Sequence, residues 1–214
     1  IFFSSVRPLA EGLYLDGSQI FYSHGGEKEP LVDVHELKLL GRHNYENVMA
    51  AAAIAIRIGV PLAVIRKEVM EFKAVEHRIE YVLERAGVKY YNDSKGTNPD
   101  AAIQAIRAMP GPTVLIAGGY DKHSEYDKWI QEFTGKVKYL VLIGQTRDKI
   151  AECARAHGFN EIMYAEDMEE AVHVCAAYAD AGDSVLLSPA CASWGMFDNY
   201  EQRGDIFKEC VRNL

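Results

Sequence analysis

The chain has 214 residues, 49% of them hydrophobic and 25% charged, which leaves room for one large domain or for one domain and part of another. A net charge of −8 argues against a surface for nucleic acid, and the longest apolar stretch, residues 48–56, is far shorter than the roughly 20 residues of a membrane-spanning helix. Cys153, Cys175, Cys191 and Cys210 fit neither a CxxC pair nor a zinc spacing, so they read as free thiols of a cytoplasmic protein with no metal site.

Ile1-Phe2-Phe3 lacks an initiator Met, a charged leader and a cleavage site, and reads as an interior strand cut open, so a fragment is expected. Residues 13–39 are strand-like. Leu13-Tyr14-Leu15 and Ile20-Phe21-Tyr22 flank Asp16-Gly17 as a hairpin, and Gly25-Gly26 makes a second turn. His35 falls in this run and is expected to be structural. Helices are expected over 44–58, stopped by Gly59 and Pro61, and over 61–72. The composition changes at His77-Arg78, so the domains are placed at 1–76 and 77–214.

Residues 79–83 and 88–91 form a hairpin around Ala86-Gly87, and Asn98 then caps a helix whose first residue is Pro99. Short apolar strands (113–117, 139–143, 162–164, 184–187) alternate with helices near 126–133, 147–157, 168–179 and 201–211. The pattern predicts an α/β fold: a mostly parallel sheet covered on both faces.

In such sheets ligands bind outside the carboxyl ends of the strands, where three polar clusters fall. Asn92-Asp93-Ser94-Lys95-Gly96-Thr97-Asn98 suits an anion at a helix N-terminus, and equally a capped, solvated loop; it lacks the GxxxxGK[ST] of a P-loop. Gly118-Gly119-Tyr120-Asp121-Lys122 allows close backbone approach and offers a cation, yet two glycines also simply turn a chain. In Ser188-Pro189-Ala190-Cys191-Ala192-Ser193-Trp194, Ser193 offers a hydroxyl. Cys191 reads as a small buried residue, because nothing places a base beside it. Upstream, Asn44 and Asn47 share a helical face that could read a purine edge; capping by Asn44 beside an exposed Asn47 fits as well.

GRHNYENVMAAAA, EHRIEYV, NDSKGTN, GGYDK and LLSPACASWGMFDNYEQRG stand in one order and spacing that resembles the Mur ligase family, and its D-glutamate-adding members in particular. The resemblance runs from about Leu39 to the C-terminus. It implies the end of a central ATPase domain followed by a Rossmann-like C-terminal domain that brings in the amino acid. The implied reaction belongs to peptidoglycan precursor synthesis. ATP phosphorylates the carboxylate of UDP-N-acetylmuramoyl-L-alanine, and the D-glutamate amine attacks the acyl-phosphate. By the same resemblance Thr97, Lys122, Ser193 and the backbone around Tyr200 hold D-glutamate. Asn44 and Asn47 contact the adenine side of ATP, with Arg78 and Asp93 near its ribose and phosphates and Lys95 on phosphate. The family's P-loop, Mg2+ ligands and carbamylated lysine are expected upstream of Ile1. No catalytic or metal-ligating residue is therefore assigned in this chain, which is expected to be inactive alone. Gly96 departs from the usual Ala. Other Mur or folylpolyglutamate-type ligases are the near alternatives; a nucleotide-binding Rossmann-like module is disfavoured because GxGxxG is absent.

Overall fold

A computed structural model describes all 214 residues, in two compact units, Ile1–Ala74 and Val75–Leu214. No helix is long and apolar enough to cross a membrane.

The first unit holds β1 (Phe3–Ser4), β2 (Gly12–Asp16), β3 (Gln19–His24), β4 (Glu27–Asp33), α1 (Arg42–Arg57) and α2 (Leu62–Glu71). The sheet runs β1-β2-β3-β4, with β1 parallel to β2 and the other pairs antiparallel. Both expected hairpins are present, turned by Gly17 and by Gly25-Gly26, all at positive φ. Leu13, Ile20, Leu31 and Val32 pack against Met49, Ala52 and Ile65 of the helices.

Two expectations need correction here. His35 is not in a strand: it lies in a 3-10 turn, Val34–Glu36, which Asp33 caps by accepting from the His35 N–H at 2.9 Å, and its ring is exposed. Asn44 is not a helix cap. The helix begins earlier, after Gly41, so Asn44 sits buried in the first turn and donates its amide to the Leu40 carbonyl at 2.8 Å.

The second unit contains β5 (Glu80–Arg85), β6 (Val88–Asn92), α3 (Pro99–Ala108), β7 (Thr113–Gly118), α4 (Asp127–Gln131), β8 (Val137–Ile143), α5 (Arg147–Ala156), β9 (Ile162–Tyr164), α6 (Met168–Tyr178), β10 (Ser184–Leu187) and α7 (Tyr200–Asn213). Its sheet order is β5-β6-β10-β7-β8-β9, parallel except for the edge strand β5. From β6 to β9 the chain steps outward on one side, and α3, α4 and α5 form a contacting series. It then returns through α6 to seat β10 between β6 and β7. Right-handed crossovers make that reversal put α6 on the opposite face, where it meets α7. Side-chain alternation follows: Val114, Ile116, Val141, Ile143, Val185 and Leu187 pack with Met168, Val172, Phe207 and Val211, while Leu115, Ala117, Leu140, Leu142 and Leu186 are buried on the other side. The loops leaving β6, β10, β7 and β8 therefore share one edge of the sheet.

Candidate functional site

Those strand-end loops are stitched together by backbone bonds. The Asp93 N–H donates to the Leu187 carbonyl (2.7 Å), Ser188 to Ile116 (3.2 Å), Gly118 to Pro189 (2.9 Å), Tyr120 to Ala192 (2.9 Å) and Thr146 to Gly119 (3.1 Å). The approach is close enough to demand glycine. A Cβ on Gly119, at φ +145°, would run into the Ala192 carbonyl, and one on Gly118, at φ +106°, into that of Ile143. Beneath them the Cys191 thiol lies 3.1 Å from the Tyr126 hydroxyl and 3.3 Å from that of Thr146. It is 1% exposed and burial pushes its pKa up, the environment of a small residue that packs the turn.

Two buried ionisable groups organise the loops. Asp93 accepts from the Ser188 hydroxyl (2.8 Å) and from the Ile79 N–H (3.2 Å). Burial pushes its carboxyl up to about 7, against the opposing pull of these bonds and of the Arg78 and Arg203 charges. Arg203 on α7 is fully buried. Its guanidinium donates to the Ser94 hydroxyl (2.9 Å), the Ser94 carbonyl (2.7 Å) and the Cys191 carbonyl (3.1 Å), tying the loop after β6 to the loop after β10. Burial lowers its pKa to about 10, which leaves it charged near neutrality. Sequence reasoning missed Arg203. The available signal was its position in the apolar stripe Arg203, Phe207, Val211 of α7, where a cation has no place unless it is paired. His77 was missed too; it is buried with Nδ1 3.0 Å from the Asn92 amide nitrogen, and its carbonyl accepts the Lys95 N–H.

The polar groups of these loops sort into engaged and unengaged. Ser94 and Ser188 are engaged: the Ser94 hydroxyl donates to the Tyr200 carbonyl at 2.7 Å, and Ser188 to Asp93. Thr97, half-buried after β6, makes no hydrogen bond through its hydroxyl. Neither does Ser193, which is only 4% exposed after β10, although its carbonyl accepts from the Phe197 N–H. Lys122, after β7, is exposed with no ion-pair partner. Tyr200 is the first residue of α7. Asn199 caps that helix by accepting from the Gln202 N–H (2.7 Å), which leaves the Tyr200 and Glu201 N–H groups without an intrahelical acceptor.

Of the expected nucleotide residues in this unit, Arg78 is exposed, and Lys95 is exposed with its ammonium 5.6 Å from the Tyr200 ring centroid. Asp93 already holds two donors, though a carboxylate has lone pairs for more. In the first unit Asn47 is exposed and its amide reaches the Asn44 side-chain oxygen at 3.4 Å. It stands with Glu68 at the polar edge of a cavity of about 290 Å3 whose walls are Leu39, Val48, Ala51, Val69 and Phe72.

Residues 77–191 match a family model described as Mur ligase, glutamate ligase domain. The whole chain is 58% identical to the UDP-N-acetylmuramoylalanine–D-glutamate ligase of Lachnospira eligens, covering 48% of it. Over 99% of its length it is 51% identical to the ligase of that name from Thermoanaerobacter sp. strain X514, covering 47%. The chain thus spans about half the length of these relatives. Among solved structures, MurF from Acinetobacter baumannii aligns with a TM-score of 0.65 at 18% identity, over 94% of this chain and 45% of that one. Folylpolyglutamate synthase from Thermotoga maritima aligns at 0.56 and 22%, over 80% and 41%. At such identities the likeness is one of fold.

Proposed function

The chain belongs to the Mur ligase family, and on that premise we propose that its strand-end loops receive the D-glutamate that an ATP-dependent ligase joins to UDP-N-acetylmuramoyl-L-alanine in the cytoplasm. The observation that carries this reading is the division of labour among the loop groups. Ser94, Ser188, Asp93 and Arg203 are bound to one another, while the hydroxyls of Thr97 and Ser193, the Lys122 ammonium and the first N–H groups of α7 are left for something else.

That set suits a small dicarboxylate. Each carboxylate needs a cation or several neutral donors, and a hydrogen bond to a charged group is worth roughly 1.5–3 kcal/mol. Lys122 supplies charge; Thr97, Ser193 and the helix N-terminus at Tyr200 supply directed N–H and O–H groups. No side chain here need attack or accept a bond. Transfer of the ATP γ-phosphoryl group to the UDP-linked carboxylate makes phosphate the leaving group, and the D-glutamate amine then forms the amide through a tetrahedral intermediate. The loops contribute by holding the amine at a fixed distance and angle.

For the nucleotide, the apolar walls of the slot edged by Asn47 suit a base, with the Asn47 amide donating to the Asn44 side-chain oxygen. By resemblance to the family, Arg78 and Lys95 would serve phosphate and Asp93 a ribose hydroxyl. Mg2+ would balance the phosphate charge. Glu76, His77 and Asp205 do not fit it, because the Lys208 ammonium already sits 2.5 Å from Glu76 and 3.1 Å from Asp205.

The test is D-glutamate-dependent phosphate release by the longer protein that carries this chain. Lys122→Ala should raise the KM for D-glutamate by roughly tenfold or more, with Thr97→Ala and Ser193→Ala in the same direction. Unchanged KM and kcat in all three variants, or preference for another amino acid in a substrate panel, would overturn the reading.

A further inference from the structure

The helical layer formed by α4 and α5 carries a second grouping of reactive side chains that the ligase chemistry does not use. Cys153 and His157 are four residues apart at the C-terminal end of α5, so they face the same side one turn apart. Asp127, the first residue of α4, comes up against them from the neighbouring helix, with Oδ1 2.9 Å from His157 Nε2. One ligand atom from each lies within 4.8 Å of both others. Because α5 runs back from the end of β8 towards the start of β9, its last turn lies at the end of the sheet opposite the strand-end loops.

We infer that Asp127, Cys153 and His157 form a binding site for a zinc-class divalent cation, with three protein ligands and a fourth position open to water. The donor set decides the class of ion. Hard cations such as Mg2+ and Ca2+ take oxygen ligands, whereas a thiolate, an imidazole and a carboxylate together suit borderline ions such as Zn2+. Zinc bonds of 2.0–2.3 Å place tetrahedral ligands about 3.3–3.7 Å apart, so the Asp127–His157 pair opens slightly from 2.9 Å and Cys153, within 4.8 Å of both, needs only a small adjustment. That movement exchanges the Asp127–His157 hydrogen bond for two bonds to the ion.

The backbone under the site is already fixed. Ile150, Ala151 and Ala154 bury the inner face of α5. Trp129, two residues after Asp127, is fully buried and packs edge-on against Phe133, which in turn meets Phe159 just beyond His157. Ordering the ligands therefore costs side-chain freedom and little else. The other clustered group, Glu76, His77 and Asp205, differs on this point because Lys208 already supplies its cation. No zinc signature is visible along the chain, since Cys-x3-His on one helix lacks its third ligand until the fold delivers Asp127.

Binding replaces the Cys153 S–H bond with a sulfur–zinc bond and releases that proton to solvent, so one proton should appear per zinc bound. The experiment uses the full chain, reduced and freed of metal. It is titrated with Zn2+ against a competing chelator, and with Co2+ to read a thiolate-to-metal charge-transfer absorption. We expect one ion per chain, that absorption, and one proton released. Cys153→Ser should abolish the absorption. It, His157→Ala and Asp127→Asn should each weaken zinc binding at least roughly tenfold, the scale that outer-sphere partners alone command. Cys210→Ser and Glu76→Gln should bind as the parent does. All the altered groups are at least partly solvent-exposed, and thermal melts of each variant verify folding. Absence of stoichiometric zinc binding by the parent chain, a cobalt complex without the thiolate absorption, or binding retained in Cys153→Ser would each overturn the inference.

Discussion

At the scale of single residues, the decisive feature is a carboxyl and a guanidinium taken out of water beneath the loops. Asp93 is pushed up to about 7, well above the ordinary value near 3.9 that it recovers on unfolding. Between those values the folded chain keeps a proton that the unfolded chain gives up. Stability should therefore fall as pH rises through that window and level off above it, with a slope of up to about 1.4 kcal/mol per pH unit. Asp93→Asn should flatten that part of the profile. Urea unfolding of both proteins between about pH 5 and about pH 8 measures it, since contributions from all other carboxylates cancel in the difference. A parallel pair of profiles would show that Asp93 ionises normally in the fold. The loop that holds Asp93, Lys95 and Thr97 was legible because a polar run between an apolar strand and an Asn-Pro helix start stands out in the sequence. Arg203 was not: its three acceptors, the hydroxyl and carbonyl of Ser94 and the carbonyl of Cys191, lie 109 and 12 residues away, and only folding brings them to it.

Elements were read well wherever local chemistry alone determines them. The Ala86-Gly87 hairpin forms because both residues adopt positive φ, 50° and 79°. α3 begins where Asn98 accepts the Ala101 N–H at 2.9 Å with Pro99 in the first position. Elements that depend on distant partners were hidden. β1 is two residues long and exists only as a parallel neighbour of β2, and α4 is shorter than its apolar pattern because residues 132–136 tighten into turns before β8. The junction after β7 follows the same logic in reverse, since no local rule says what Gly119 must avoid. Gly119→Ala should press a methyl group into the Ala192 carbonyl, cost roughly 1–3 kcal/mol of stability and displace the loop carrying Lys122. Denaturant midpoints check the first effect and the D-glutamate KM of the longer protein the second. A variant with unchanged midpoint would mean that the two loops can part without loss.

For the molecule as a whole, strand–helix alternation announced a parallel sheet but not its order. The seat of β10 between β6 and β7 is a long-range fact, written in no local pattern. The second unit has its own two-faced core, so Val75–Leu214 expressed by itself should fold with one cooperative transition, by circular dichroism and by tryptophan fluorescence at the buried Trp129. Non-coincident transitions would divide that unit further. The placement of β10 also bears on how the protein is made. Synthesis delivers β6 and β7 before β10, yet neither can bond the other, because the strand that belongs between them emerges only after β8 and β9. Until then the growing chain carries two unsatisfied strand edges and an uncovered apolar layer awaiting α7. This is the state in which nascent chains most need chaperones and are most open to wrong pairing.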